Sequence, residues 1–381
     1  MKKIIIVLIV IFLTTGCFNY RELNDLGIVT AIGISKEEDE FILDVQLVNI
    51  IEAGKNGISE SPITVITGKG KTIFEAARSL NMKSSKIFFI SNLEYVLLDK
   101  SVLTSDIEQV LDYLTRDTRL PLNFLVVATT DNKPKDILSA LSQFDINSAS
   151  NLSNILKLSE NRYGETYSLT IKDMLDNYLG GMTNIVYPNI ALTGDEKELA
   201  DTDNLKTSDS DNYVYVKDLI YVKDDKVIEL NKDEAFGYNF INNNINNGTI
   251  TCECDGGYFT AETLKSNFGY KDNLKNNEMI INGNIEVEIV SYNCKDKLGN
   301  TKVTEKIANQ ISDEIKKYVE NSIENAENNN SDFIGVNSYI YKNNNKYFNS
   351  NNKWANEDNN LSFKYNIKTD IVKQGNLRSD I

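Results

Sequence analysis

Apolar positions along this chain recur in two rhythms, and the switches between them predict most of its elements. Leu26 to Ile34 is a run of small, β-branched and aliphatic residues, the pattern of a buried strand. A charged turn at Glu37 to Glu40 returns the chain through Phe41 to Ile50, which predicts a hairpin, and Ile63 to Thr67 adds a third short strand. Between Thr72 and Lys83 the spacing of Ile73, Ala76, Ala77 and Leu80 becomes helical. Strand segments follow at Lys86 to Ile90, Leu93 to Leu98 and Leu120 to Ala128, with one amphipathic helix over Ser101 to Leu114. Three helical stretches come next, Pro134 to Leu141, Ser148 to Ser159 and Ile171 to Leu179, and then a strand over Ile185 to Leu192.

The apolar pattern lapses from Gly194 to Asn212, where Asp201, Asp203, Asp209 and Asp211 lie among Thr, Ser and Asn. Beyond it, Tyr213 to Val222 and Lys226 to Leu230 predict a hairpin around Asp224 and Asp225, followed by a short helix over Asp233 to Ile241. Thr249 to Cys254 and Asn284 to Tyr292 alternate as strands, with Ile285, Val287 and Ile289 inward and Glu286 and Glu288 towards water. The longest helix, residues 301–326, carries the stripe Val303, Ile307, Ile311, Ile315, Val319 and Ile323, and Leu361 to Ile371 closes the chain as a strand. Hairpins and helices are mixed without a strand–helix–strand rhythm, so the expected class is α+β. There is no internal repeat. At 381 residues, two or three domains are expected. The division expected from the pattern is an N-terminal α+β region at 26–195, an acidic linker at 196–212 and a C-terminal α+β region at 213–378.

The first residues follow another logic. Lys2 and Lys3 precede an unbroken apolar run from Ile4 to Leu13, then Thr14, Thr15, Gly16 and Cys17. Ten helical residues span ~15 Å, half of a ~30 Å hydrocarbon core, so residues 1–16 are expected to be a cleavable export signal. Residues 13–17, Leu-Thr-Thr-Gly-Cys, resemble a bacterial lipobox, although Thr14 stands where leucine is usual. Cys17 is therefore the expected lipid attachment site, carrying diacylglyceryl and a further fatty acyl group such as palmitate. Two acyl chains hold a protein stably on a bilayer where one does not. Removing Lys2 and Lys3 leaves 38 basic against 55 acidic side chains, and so acidic a body gains nothing from an anionic leaflet. Residues 17–25 form the tether, and the eight from Phe18 to Asp25 reach at most ~29 Å.

Composition narrows the chemistry. The chain has no histidine, which removes Ser-His-Asp and Cys-His catalysis and every His-ligated metal site. A net charge of −15 excludes nucleic acid as the expected partner. Gly68-Lys69-Gly70-Lys71-Thr72 has Val65 where a phosphate loop needs its first glycine, and reads as a strand-to-helix turn. For Cys252, Cys254 and Cys294 three readings stand: buried apolar thiols, a disulfide between Cys294 and one of the pair, or a metal site completed by Asp255. Asp209 and Asp211 lack the glycine and glutamate of a calcium loop, and the spacing of Glu286 and Glu288 marks a solvated face. Trp354, the single tryptophan, either anchors an Asn-rich loop or belongs to a contact surface. No catalytic residue, metal site or cofactor is expected.

Several blocks together resemble one family. Cys17-Phe18-Asn19-Tyr20 running into Arg21-Glu22-Leu23-Asn24-Asp25-Leu26 resembles the start of the C-subunit lipoproteins of spore germinant receptors. Residues 68–80, 86–100 and 111–121 resemble the family's next segments, and 214–237, the long helix, Asp332 to Val336, Trp354 and the last strand complete the pattern. Phe18 stands where the family commonly has tryptophan and Asn92 where it commonly has histidine, and Asn-rich inserts occupy 242–247 and 343–352. The resemblance implies a non-enzymatic lipoprotein on the outer face of the inner spore membrane, of mixed α/β fold in three domains. It implies assembly with two integral membrane partners, the A and B subunits, into a receptor that responds to small nutrients. Two other classes remain as expectations to weigh: a lipoprotein solute receptor of a transporter, with a two-lobed parallel α/β cleft, and an exported hydrolase of cell-wall sugar.

Overall fold

The structure, a computed structural model, describes residues 22, 25–49, 60–207, 212–350, 354–355 and 361–373. Cys17, Asp209 and Asp211 lie outside the described residues. Strands β1 (Leu26–Glu37) and β2 (Glu40–Val48) form the expected hairpin, turned at Glu38 with φ 52°, and β3 (Ile63–Gly70) pairs antiparallel with β2. Helix α1 (Ile73–Ser79) starts at Thr72, whose hydroxyl accepts the Glu75 amide at 3.1 Å. It lies so close on β3 that a Cβ on Gly68 would stand 2.1 Å from the Ala76 carbonyl oxygen. The Gly-Lys-Gly segment thus makes room for a helix.

Next come β4 (Ile87–Phe89) and β5 (Tyr95–Asp99), with the exposed Asn92 in the turn between them. The expected helix over 101–114 is two helices, α2 (Lys100–Ser105) and α3 (Ile107–Arg116). Asp106 separates them with φ −130°, and its carboxylate accepts Lys36 Nζ and Gln109 Nε2, both at 2.8 Å. A hydrogen-bonded acid that ties β1 to the break explains why an unbroken apolar stripe does not give an unbroken helix.

Then follow β6 (Leu125–Thr129), α4 (Pro134–Ser139), α5 (Ser148–Arg162), α6 (Ile171–Gly180), β7 (Val186–Thr193), α7 (Glu196–Ala200) and the hairpin β8 (Tyr213–Lys223) and β9 (Lys226–Leu230). Asp224 and Asp225 both have positive φ, the primed turn that suits a two-residue hairpin. These strands form one sheet in the order β3-β2-β1-β5-β6-β7-β8-β9, with β4 also on β1. The pairs β1–β4, β1–β5, β5–β6 and β6–β7 are parallel and the outer pairs antiparallel. Because β8 pairs with β7, the first sheet runs on across 196–212, and the hairpin 213–230 lies with the N-terminal strands. Tyr95 and Leu97 face α4 and α5, whereas Val96 and Leu98 face the core that holds α1, α2, α3 and α6. A strand buried on both faces is apolar at consecutive positions.

The remaining elements are α8 (Lys232–Ile241), β10 (Thr249–Cys254), β11 (Gly257–Asn273), β12 (Glu278–Tyr292), α9 (Thr301–Asn328), α10 (Val336–Asn343), α11 (Asn345–Ser350) and β13 (Ser362–Lys373). A second sheet of order β10-β11-β12-β13 is antiparallel except for β12–β13. Ile307, Ile311, Ile315, Val319 and Ile323 of α9 are buried in the same cluster as Ile281, Ile285, Val287 and Ile289 of β12. The outward positions are polar, among them Asn366 to Asn282 at 3.1 Å and Thr251 to Thr260 at 3.1 Å. That hydrophobic cluster is continuous from the first sheet through α8 to the second. The architecture is α+β.

Candidate functional site

The parallel strands β1, β4, β5 and β6 all begin at one end of the first sheet, and the chain enters there. Leu26 pairs with Ile87 and Ile28 with Phe89, nine residues after Cys17. The Asp25 amide donates to the Glu22 carbonyl at 2.9 Å, turning the chain into β1.

A groove of about 790 Å3 runs between α1 and α3, built from two of the family-like segments. Three of the chain's six arginines line it, Arg78, Arg116 and Arg119. Arg116 Nε donates to Asp112 at 2.6 Å, and Arg119 grips Asp117 with two bonds, at 2.8 and 2.6 Å. The guanidinium of Arg119 holds the Asp117 carboxyl below its usual range. Arg78 lies 4.9 Å over the ring of the exposed Phe74 and makes no ion pair among the described residues. Burial pushes the Tyr113 hydroxyl up to about 12. Fixed cations, paired acids and a phenol held protonated can position a charged group there.

The acids expected on a solvated face are on one. Glu286 and Glu288 stand 3.8 and 3.7 Å from Lys265 and Lys373. Cys254 and Cys294 form a disulfide with Cα atoms 5.8 Å apart, so the three-thiol metal arrangement does not form. Cys252 is free and half-buried, and burial raises its thiol to about 11. Among the described residues no cluster of His, Cys, Asp or Glu could hold a metal ion.

Two acids that sequence reasoning missed tie distant segments, one across the two halves and one within the first sheet. Asp332 is buried, and its carboxylate accepts the amides of Gly335 (2.7 Å), Val336 (3.1 Å) and Asn337 (2.6 Å) at the start of α10. Its carbonyl accepts the Asn184 amide at 2.7 Å, just before β7. The Asn337 side chain then brackets the Trp354 backbone, accepting its N–H at 2.8 Å and donating to its carbonyl at 3.1 Å. Trp354 is buried with its ring edge-on to Phe363, so it is an anchor. The signal was an Asp three residues before a glycine that opens a helix, with Gly335 at φ 85°. Asp218, the second acid, accepts Asn189 Nδ2 at 2.8 Å between β7 and β8.

Burial lifts Asp332 to about 6 against the pull of its backbone donors, and lifts Asp218 to about 6 against Asn189 and Lys217. A carboxyl whose folded value is raised binds its proton more tightly in the native state. Its stabilising contribution is full below its unfolded value and is lost as pH rises through about 6. Asp117 and Asp131, held low by Arg119 and Lys217, act in the opposite sense but below the ordinary carboxylate range. Denaturation midpoints should therefore fall as pH rises from about 4 to about 7, and D218N should flatten that slope. A midpoint that rises through this window would contradict the assignment.

No helix among the described residues is long and apolar enough to cross a membrane. Compared with known proteins, residues 19–192 match the profile described as "Spore germination protein N-terminal domain". Residues 218–375 match "Spore germination B3/ GerAC like, C-terminal". Spore germination protein KC of Bacillus subtilis (strain 168) is 24% identical over 355 residues, 89% of this chain and 86% of that protein. Spore germination protein A3 of the same organism is 27% identical over 281 residues, 71% of this chain and 69% of its own length. The crystal structure of the GerBC protein superposes with a TM-score of 0.56 at 15% identity, covering 90% of this chain and 96% of that one. At that identity the superposition speaks for the fold.

Proposed function

The chain belongs to the GerAC-like family of spore germination proteins, and from that premise we propose that it is the non-enzymatic, lipid-anchored subunit of a nutrient germinant receptor. A diacylglyceryl group on Cys17 holds it to the outer face of the inner spore membrane, where it assembles with two integral membrane subunits, A and B. The observation that carries this reading is the pair of family matches, which between them run over 19–192 and 218–375. The Cys254–Cys294 disulfide supports it, since such bonds persist outside the cytoplasm. A solute receptor calls for two parallel α/β lobes, whereas the second sheet has a single parallel pair. The test is Cys17→Ala in spores. The substituted chain should leave the membrane fraction, and the nutrient response served by its receptor should be lost. Germination left intact by a released chain would refute the tethered-subunit reading.

A further inference from the structure

We propose that the end of the first sheet where β1, β4, β5 and β6 begin is a second membrane contact, a surface that dips into an anionic bilayer beside the tether. This rests on the reading of Cys17 as the lipid site.

Three large apolar side chains stand exposed at this end: Leu122 (64%), Ile87 (45%) and Phe89 (39%). Ile87 and Phe89 are β4 itself, and Leu122 lies in the segment that enters β6. Large apolar groups gathered at one end of a soluble fold mark a contact surface. Their placement says which one. β4 is paired with the first residues of β1, so the exposed side chains sit where the tether enters. Eight tether residues reaching at most ~29 Å leave this end of the molecule nearest the lipid. From Ile87 to Phe89 is about 7 Å of strand, within the ~5–10 Å to which interfacial elements sink.

Charge gives the same orientation. The turn between β1 and β2, Glu37-Glu38-Asp39-Glu40, is at the opposite end of β1, about 36 Å away at ~3.3 Å per residue. Asp131, Asp195 and Glu196 follow the ends of β6 and β7 on that far side. Glu37 is offset there by Lys69 and Lys133 and Asp131 by Lys217, and with the apolar end down the remaining acids stand several Debye lengths of ~8–10 Å from an anionic leaflet. An acidic protein thereby meets the membrane through its apolar end.

The test uses the mature lipidated chain in vesicles of phosphatidylcholine and phosphatidylglycerol, in a Cys252→Ser background. A nitroxide is placed at Ile87→Cys, at Leu122→Cys or, as a control, at Asp39→Cys. All three positions are exposed, so the labels should leave the fold intact. Power saturation should give the labels at 87 and 122 an oxygen-to-nickel accessibility ratio about fivefold or more above the label at 39, as expected for the headgroup–acyl boundary. If the chain floats with the vesicles but 87 and 122 are as wet as 39, the tether stands and this proposal fails. A chain that does not float overturns both. Shielding that appears only when the membrane subunits are added would make the occupant a protein, and would equally overturn the bilayer contact.

Discussion

Gly237→Val is expected to destabilise the second half of the molecule by about 3 kcal/mol or more, through overpacking at a helix crossing. At Gly237, α8 lies directly on α9. A Cβ there would stand 2.0 Å from the Tyr318 carbonyl oxygen and 2.2 Å from Ser322 Oγ. The contact is closed from the other side, because Ser322 Oγ donates to the Glu234 carbonyl at 2.6 Å. Neither obstacle is the far end of a flexible chain, so the helices must separate. Separation would break that hydrogen bond and pull apart the stacked rings of Phe236 and Tyr318, whose centroids are 5.4 Å apart. Helix propensity does not rescue the change. Replacing glycine inside a helix gains at most ~1 kcal/mol, less for a β-branched residue. For a unit of this size the loss is a fall in melting temperature of roughly 6–12 °C. Gly180→Ala is the control, since nothing lies within 4 Å of a Cβ at that position, and it should be neutral or slightly stabilising. Equal melting of Gly237→Val and the parent protein would show that the crossing is looser than described.

Reducing the disulfide should be of similar weight. Cys254 ends β10 and Cys294 follows β12. They meet because the turn at Asp255 and Gly256 folds β11 back, and the Lys295 amide then reaches the Asp255 carbonyl at 3.0 Å. The crosslink closes a separation of 40 residues, for which the chain-entropy relation gives about 4 kcal/mol at 25 °C. Dithiothreitol, or Cys254→Ser with Cys294→Ser, should lower the melting temperature of this half by roughly 8–16 °C. Denatured, unreduced protein lacking the Cys17 thiol should titrate a single thiol, that of Cys252. In the native state that thiol should alkylate slowly, since its raised pKa leaves little thiolate. Three titrable thiols, or no change in melting on reduction, would remove the crosslink from the account.

Local pattern carried far in this chain because most elements obey a single period. The α9 stripe, the β1–β2 hairpin and the turn at Asp224 and Asp225 all stand where the apolar spacing puts them. The largest omission is β11, and its cause is physical. Its inward residues Phe259, Ala261 and Thr263 alternate, but the register shifts between Thr263 and Lys265, and the phase resumes with Phe268. A bulge inserts one residue and inverts the alternation, so neither half is long enough to read. The Asp255-Gly256 pair between β10 and β11 was the turn signal that could have recovered it. The break at Asp106 was hidden for a different reason, since it depends on a partner distant in the chain. The Asp106 side chain is held by Lys36, 70 residues earlier. Likewise the hairpin 213–230 belongs to the first sheet through its pairing with β7, a contact that no local composition reports. Arg78, Arg116 and Arg119 come together only through the packing of α1 against α3, which makes the groove.

The parallel pairing of β13 with β12 sets a schedule for biosynthesis. Roughly 70 residues separate Tyr292 from Ser362, and at ~5–20 residues per second a ribosome needs about 4–14 s to supply them. During that interval the outer edge of β12 is an open row of amides and carbonyls, the template on which misassembly begins. Nascent chains in that condition need a holding factor, or a route across the membrane that keeps them unfolded until the last strand has arrived.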